Sequence, residues 1–168
     1  MKRFLTGAAV AAGLLASGLG AGAAQAQEAV VGVANPDALF TSPDPVLNRN
    51  KQAAYHIMKE LLECKQWDKA GMWLTDAYHQ HNPNAASGLK GVVYYFTQVR
   101  HDTPQPCPEK MKTAIVAVVA DGDYVTVVTP RHMNNAADPS KSYDTTWFDM
   151  WRFVDGKADE HWDPATRQ

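Results

Sequence analysis

Between Leu47 and about Lys65 apolar side chains recur at helical spacing, with Ala54, Ile57, Met58, Leu61 and Leu62 along one side. That recurrence is the mark of an amphipathic helix, and Asn48 stands where a capping side chain belongs. A shorter helix is predicted from Gln66 to Leu74, with Trp67, Ala70, Trp73 and Leu74 on its apolar side. A third covers GLKGVVYYFTQVRH and is entered through the Asn/Pro/Gly-rich loop HNPNAASG. Further on, alternation replaces the helical period. KTAIVAVVADGDYVTVVTPRH consists of two β-branched runs joined by an Asp-Gly turn, and YDTTWFDMWRFVDGKADEHWD repeats the design around Asp155-Gly156. Both read as hairpins. Helices first and strands afterwards predict an α+β domain, with helices against one face of a curved, mainly antiparallel sheet.

Upstream, QEAVVGVANPDALFTSPDPV follows neither period and carries three prolines, so residues 27–46 are expected to form an extended arm ahead of a domain at 47–168. The first 26 residues have a different character. Lys2 and Arg3 precede an apolar run from Ala8 to Leu19, and Ala24-Gln25-Ala26 offers small residues for cleavage before Gln27. This is the pattern of a secretory signal, and the run is shorter than the roughly 18 to 20 residues a membrane span needs. A periplasmic or secreted protein, free of the membrane after cleavage, is the expectation.

At 168 residues and 45% hydrophobic side chains, the chain suits one globular domain. Without the first 26 residues it keeps 14 basic and 18 acidic side chains, a net −4. No basic stripe is present, which argues against a nucleic-acid partner. Export also gives the two cysteines a meaning. Cys64 and Cys107 have only each other, and a disulfide between them would contribute roughly 3 to 4 kcal/mol by loop-closure entropy. The alternative is a pair of buried thiols.

Candidate chemistry concentrates in WFDMWRFVDGKADEHWD, residues 147–163. On an alternating strand Trp147, Asp149 and Trp151 share one face, and on its partner Lys157, Asp159, His161 and Asp163 share another. Whether the two sets meet depends on register. A two-residue Asp-Gly turn pairs Val154 with Lys157 and sends Asp149 opposite Trp162. A three-residue loop with Gly156 in a bulge pairs Phe153 with Lys157, so that Asp149 faces His161 and Trp147 faces Asp163. The bulged loop is the expectation, because it gathers two carboxylates and an imidazole on one concave face.

The order helix, short helix, YHQHNPNAASG, helix, then strands ending in FDMWRFVDGKADEHWD resembles the SnoaL-like polyketide cyclase branch of the nuclear transport factor 2-like superfamily, from about Asn48 to Asp163. The resemblance implies a cone-shaped α+β barrel that works without metal or cofactor. It also implies that Asp163, the last acidic residue of the terminal strand, is the base that takes a proton next to a carbonyl. His161 and Asp149 would orient the substrate or share a proton. Two positions depart from the founding cyclases: Trp147 stands where they have glutamine and Asp149 where they have histidine. Two neighbouring carboxyls are suited to dividing acid and base roles. Tyr78, His81 and Asn82 fall at the family's pocket mouth, His132 ends a strand after Pro130, and Trp147 and Trp151 form an aromatic wall for a small hydrophobic or aromatic ligand.

Three other readings stand beside the cyclase or isomerase. One is a binding module that uses the same pocket without turnover; another is a structural or partner-binding domain whose cone is filled by its own side chains, Trp147 and Trp151 among them; the third is a metal site built from His81, His132, His161 and Asp149. The apolar outward residues Phe148, Met150 and Trp162 point to a second copy covering them, as a homodimer.

Overall fold

A computed structural model describes residues 28–167; the expected signal at 1–26 lies outside the described residues. Helix α1 runs Pro45–His56 and continues as a π-helical turn over Ile57–Glu63. Its start lies earlier than the apolar pattern suggested. Asp44, not Asn48, is the cap: its carboxylate accepts from the backbone N–H of Val46 and Leu47, both at 2.9 Å, ahead of Pro45 in the first turn. Asn48 instead accepts from Ser42 N–H at 3.0 Å, tying the arm to the helix. The arm is not wholly extended, since Pro36–Phe40 forms a 3₁₀ turn that buries Phe40 completely.

The second predicted helix is a 3₁₀ turn at Trp67–Lys69 followed by α2, Ala70–Trp73. The third is α3, Leu89–Tyr94, prolonged by a π-helical turn over Tyr95–Val99. Between α2 and α3 lies strand β1, Leu74–Gln80, where no strand was expected. The remaining strands are β2 (Ala117–Asp121), β3 (Tyr124–Met133), β4 (Tyr143–Val154) and β5 (Lys157–Trp162). They form one sheet in the order β1-β5-β4-β3-β2, antiparallel except for β1 against β5. The helices cover one face. Ile57, Leu61 and Trp67 meet Val125, Val127 and Trp151 there in a single buried core.

The hairpin that carries the candidate site differs from the expected register in an informative way. The turn has two residues, with Val154 opposite Lys157. Asp155 and Gly156 both take positive φ, +50° and +79°, the conformation that a two-residue hairpin favours and an Asp-Gly pair accepts. The bulge lies further along, inside β5: Phe153 pairs with Ala158, Arg152 pairs with Glu160, and Asp159 is the extra residue. Ala158 (0% exposed) and His161 (6%) are three positions apart and both point inward, which strict alternation cannot achieve. The bulge reverses the parity between them. It leaves Asp159 beside Arg152, whose Nε and Nη2 donate to its carboxylate at 3.1 and 2.7 Å.

Cys64 and Cys107 form a disulfide with Cα atoms 5.3 Å apart, joining the end of the first helix to the loop before β2. Among the described residues no helix is long and apolar enough to cross a membrane.

Candidate active site

Beyond the bulge, Trp151 pairs with His161 and Met150 with Trp162, so the next position brings Asp163 alongside Asp149. His161 therefore sits two rungs from Asp149, on the same face, and reaches it diagonally, Nε2 to Oδ1 at 3.1 Å. One ligand atom from each of Asp149, His161 and Asp163 lies within 4.8 Å of the others. The sharing of one face by these three groups thus holds, although the pairing that produces it is neither of the two expected. Such a spacing also suits ligation of a cation, whereas the set containing His81 and His132 does not come together.

The parallel strand β1 supplies polar groups from a stretch where no strand was expected. Tyr78 and Gln80 are two apart on one strand face, and Asn82 follows just past its end. The backbone of His81 donates to the carbonyl of His161 at 3.1 Å and holds this edge in register. Gln80 has a part that its sequence neighbourhood did not announce. Its amide oxygen accepts the Asn82 backbone N–H at 3.0 Å and contacts His161 Nδ1 at 2.8 Å. An atom that accepts from a backbone N–H is the oxygen, so His161 carries a proton on Nδ1. The remaining contact, Nε2 to Asp149, requires one further proton, held by the ring or by the carboxyl. The pair is thereby built around a single transferable proton.

Asp163 is fixed from two sides. Asn82 Nδ2 donates to Oδ2 at 2.7 Å and the Ala165 N–H to Oδ1 at 2.9 Å, which sets the carboxylate plane and leaves a lone pair on each oxygen. Asp149 also accepts from Trp147 Nε1 at 3.3 Å. Behind them, Trp151 stacks on His161 with ring centres 5.2 Å apart and donates to the Tyr78 hydroxyl at 3.2 Å. Burial pushes the Tyr78 phenol far above its ordinary value, so it keeps its proton, which finds no acceptor among the described residues.

These groups open on a cavity of about 180 Å³ walled by Ile57, Leu61, Trp67, Phe96, Trp147 and Trp151, with Arg100 and Arg131 also on its lining. The cavity takes in Asp149, His161, Asp163, Trp147, Trp151, Tyr78 and Asn82 of the expected set. Two expected residues lie elsewhere. His81 is half exposed; it stacks on Trp162 at 5.1 Å between ring centres and contacts Glu160 at 2.8 Å. His132 is exposed and pairs with Asp144 at 2.7 Å. Strand parity explains the first, since His81 follows Gln80 and points the other way. His132 pairs across from Asp144 on the rungs that carry Phe148 and Met150 outward. Read with period two, Y-x-Q-x-N would have found Gln80; no sequence signal pointed to Arg131.

The family model for the SnoaL-like domain matches residues 54–161. Among solved structures, a protein described as a SnoaL-like polyketide cyclase from Jannaschia sp. CCS1 is 15% identical, with 74% of this chain and 91% of that one covered and a TM-score of 0.52. An NTF2-like protein of unknown function from Burkholderia pseudomallei K96243 is 16% identical over 70% of this chain and 91% of its own, with a TM-score of 0.51. Both likenesses concern the fold. No curated protein sequence matches significantly.

Proposed function

The chain belongs to the SnoaL-like domain family, and on that premise we propose that it is a cofactor-independent lyase or isomerase which removes a proton next to a carbonyl of a small cyclic or aromatic substrate. One observation carries this reading: Asp149, His161 and Asp163 converge within 4.8 Å at the wall of a cavity whose other walls are largely aromatic and aliphatic. Asp163, held by Asn82 and the Ala165 N–H, is the base. The proton shared by His161 and Asp149 goes to the enolate oxygen as charge develops there, and Gln80 keeps the imidazole in the orientation that allows it. Tyr78 offers a second donor. Trp147 and Trp151 give a flat substrate its contact surface and keep water from the carboxylates.

The test separates chemistry from binding. With the bicyclic ketone 2-tetralone as probe, Asp163→Asn should lower the rate of α-proton exchange by about a hundredfold or more while the dissociation constant stays within about twofold. Equal loss of both, or of neither, contradicts the assignment; retained binding with no exchange in the wild type favours a binding module.

Two further parts of the reading concern setting. The Cys64–Cys107 disulfide is compatible with work in a periplasmic or secreted location. The outward Phe148, 47% exposed, lies with Met150 and Trp162 along one shallow apolar groove, which supports a homodimer covering that face. Light scattering on the eluting protein gives the dimer mass if this holds and the monomer mass if it does not.

A further inference from the structure

The reacting groups lie deep in the cavity, but its outer lining is cationic. Arg131 is on β3, on the same sheet face as Val127 and Thr129, and Thr129 is the partner of Trp147. Its guanidinium carbon stands 4.4 Å from the centre of the Trp147 ring. That contact holds the side chain against the aromatic wall. Arg100 and Arg152 each face a carboxylate, at 3.7 and 2.7 Å, whereas Arg131 has no such partner among the described residues. A charged fork fixed on a pocket wall without a counter-ion is suited to binding a carboxylate in two-point fashion.

The rest of the cavity restricts where such a group can go. Asp149 and Asp163 at depth repel an anion, so a negatively charged substituent must lie towards Arg131. A volume of about 180 Å³ accepts one or two fused rings, being smaller than the pockets of roughly 300 to 1,000 Å³ that enclose drug-sized ligands. Trp147 is one same-face step along β4 from Asp149, roughly 7 Å. A carboxylate on Arg131 therefore falls about one ring width or more from a carbon facing Asp163.

We infer that this pocket selects a flat one- or two-ring carboxylate, its ring against Trp147 and its anionic group held by Arg131, which makes Arg131 a specificity-determining residue. The inference rests on the proton-abstraction reading only for the orientation of the ring.

The experiment compares 2-naphthoate with its uncharged isostere 2-naphthamide by titration calorimetry on the purified protein. The acid should bind about tenfold tighter or more. Arg131→Gln should abolish that preference and leave 2-naphthamide within about twofold, Arg131→Lys should keep part of it, and Arg100→Gln should change it less, with far-ultraviolet circular dichroism confirming that each variant is folded. Equal affinity of the wild type for both probes overturns the inference. So does a preference that survives Arg131→Gln, an equal loss of both probes in that variant, or the absence of binding by either. A preference that depends on Arg100 and not on Arg131 overturns the assignment of the residue. Because the readout is binding alone, it is independent of catalysis: a wild type that discriminates the acid but exchanges no α-proton sustains this inference and refutes the enzyme.

Discussion

Replacing Gln80 with leucine removes the one oxygen that fixes the tautomer of His161. Two donors then lose their acceptor. The imidazole Nδ1–H is in a residue only 6% exposed, and the Asn82 N–H is half-buried. A buried unpaired donor costs about 1 to 3 kcal/mol, and the backbone group belongs at the low end of that range, so the loss of stability should be about 2 to 4 kcal/mol. With a urea slope of about 2 kcal/mol/M the unfolding midpoint falls by about 1 to 2 M. The imidazole can relieve part of the cost by moving its proton to Nε2 and donating to Asp149, but the proton that the pair could transfer is then lost. Exchange activity should fall by about a hundredfold. Gln80→Glu keeps an acceptor at that point and should retain both the tautomer and the fold to within about 1 kcal/mol. Long-range proton–nitrogen correlation spectra of the imidazole report the protonated nitrogen directly. An unprotonated Nδ1 in the wild type, or Gln80→Leu with unchanged stability and unchanged tautomer, refutes the reasoning.

Trp151→Phe should cost about 2 to 4 kcal/mol, because it leaves the buried Tyr78 hydroxyl without its donor and opens space in the core; an unfolding midpoint that does not move contradicts this. Opening the Cys64–Cys107 bridge, which closes 43 residues, should lower stability by about 4 kcal/mol, read as a gap between urea curves with and without reductant, and coincident curves count against it. Alkaline pH should loosen the arm. Burial raises the Tyr55 phenol, and the Tyr55 hydrogen bond raises the Lys59 ammonium. Both groups hold their protons more tightly when folded, so their contribution is complete below the unfolded values, about 10 for each, and declines as pH rises through the folded ones. Tyr55→Phe, which cuts the link from Lys59 through Tyr55 to Asp37, should flatten that decline above about pH 10, and a profile identical to the wild type rules the link out.

Much of the fold was readable from local pattern. Ala54, Ile57, Met58 and Leu61 declared the main helix because a single apolar stripe faces the sheet, and four of the five strands declared themselves by alternation around Asp-Gly turns. The strand β1 did not, since LTDAYHQ is short and polar and is made a strand by its parallel neighbour β5, far along the chain. Asn48 was read as the cap because the apolar stripe begins beside it, whereas the helix begins where Asp44 meets two free N–H groups. The grouping of Asp149, His161 and Asp163 followed from the expectation of one extra residue in the hairpin. Its location did not, because a bulge at Asp159 is set by the burial of both Ala158 and His161 and by the grip of Arg152, which no local pattern encodes. Gln80, His81 and His132 were misjudged or passed over for the same reason: the face a polar side chain takes depends on a strand, or a strand edge, assigned only by tertiary pairing.

The most direct measurement of the central claim is deuterium uptake by 2-tetralone in D₂O, followed by proton NMR with the wild-type protein at several concentrations. The account predicts that the signals of the protons next to the carbonyl fade at a rate proportional to protein and well above buffer. Exchange at the buffer rate, with 2-tetralone bound, contradicts it.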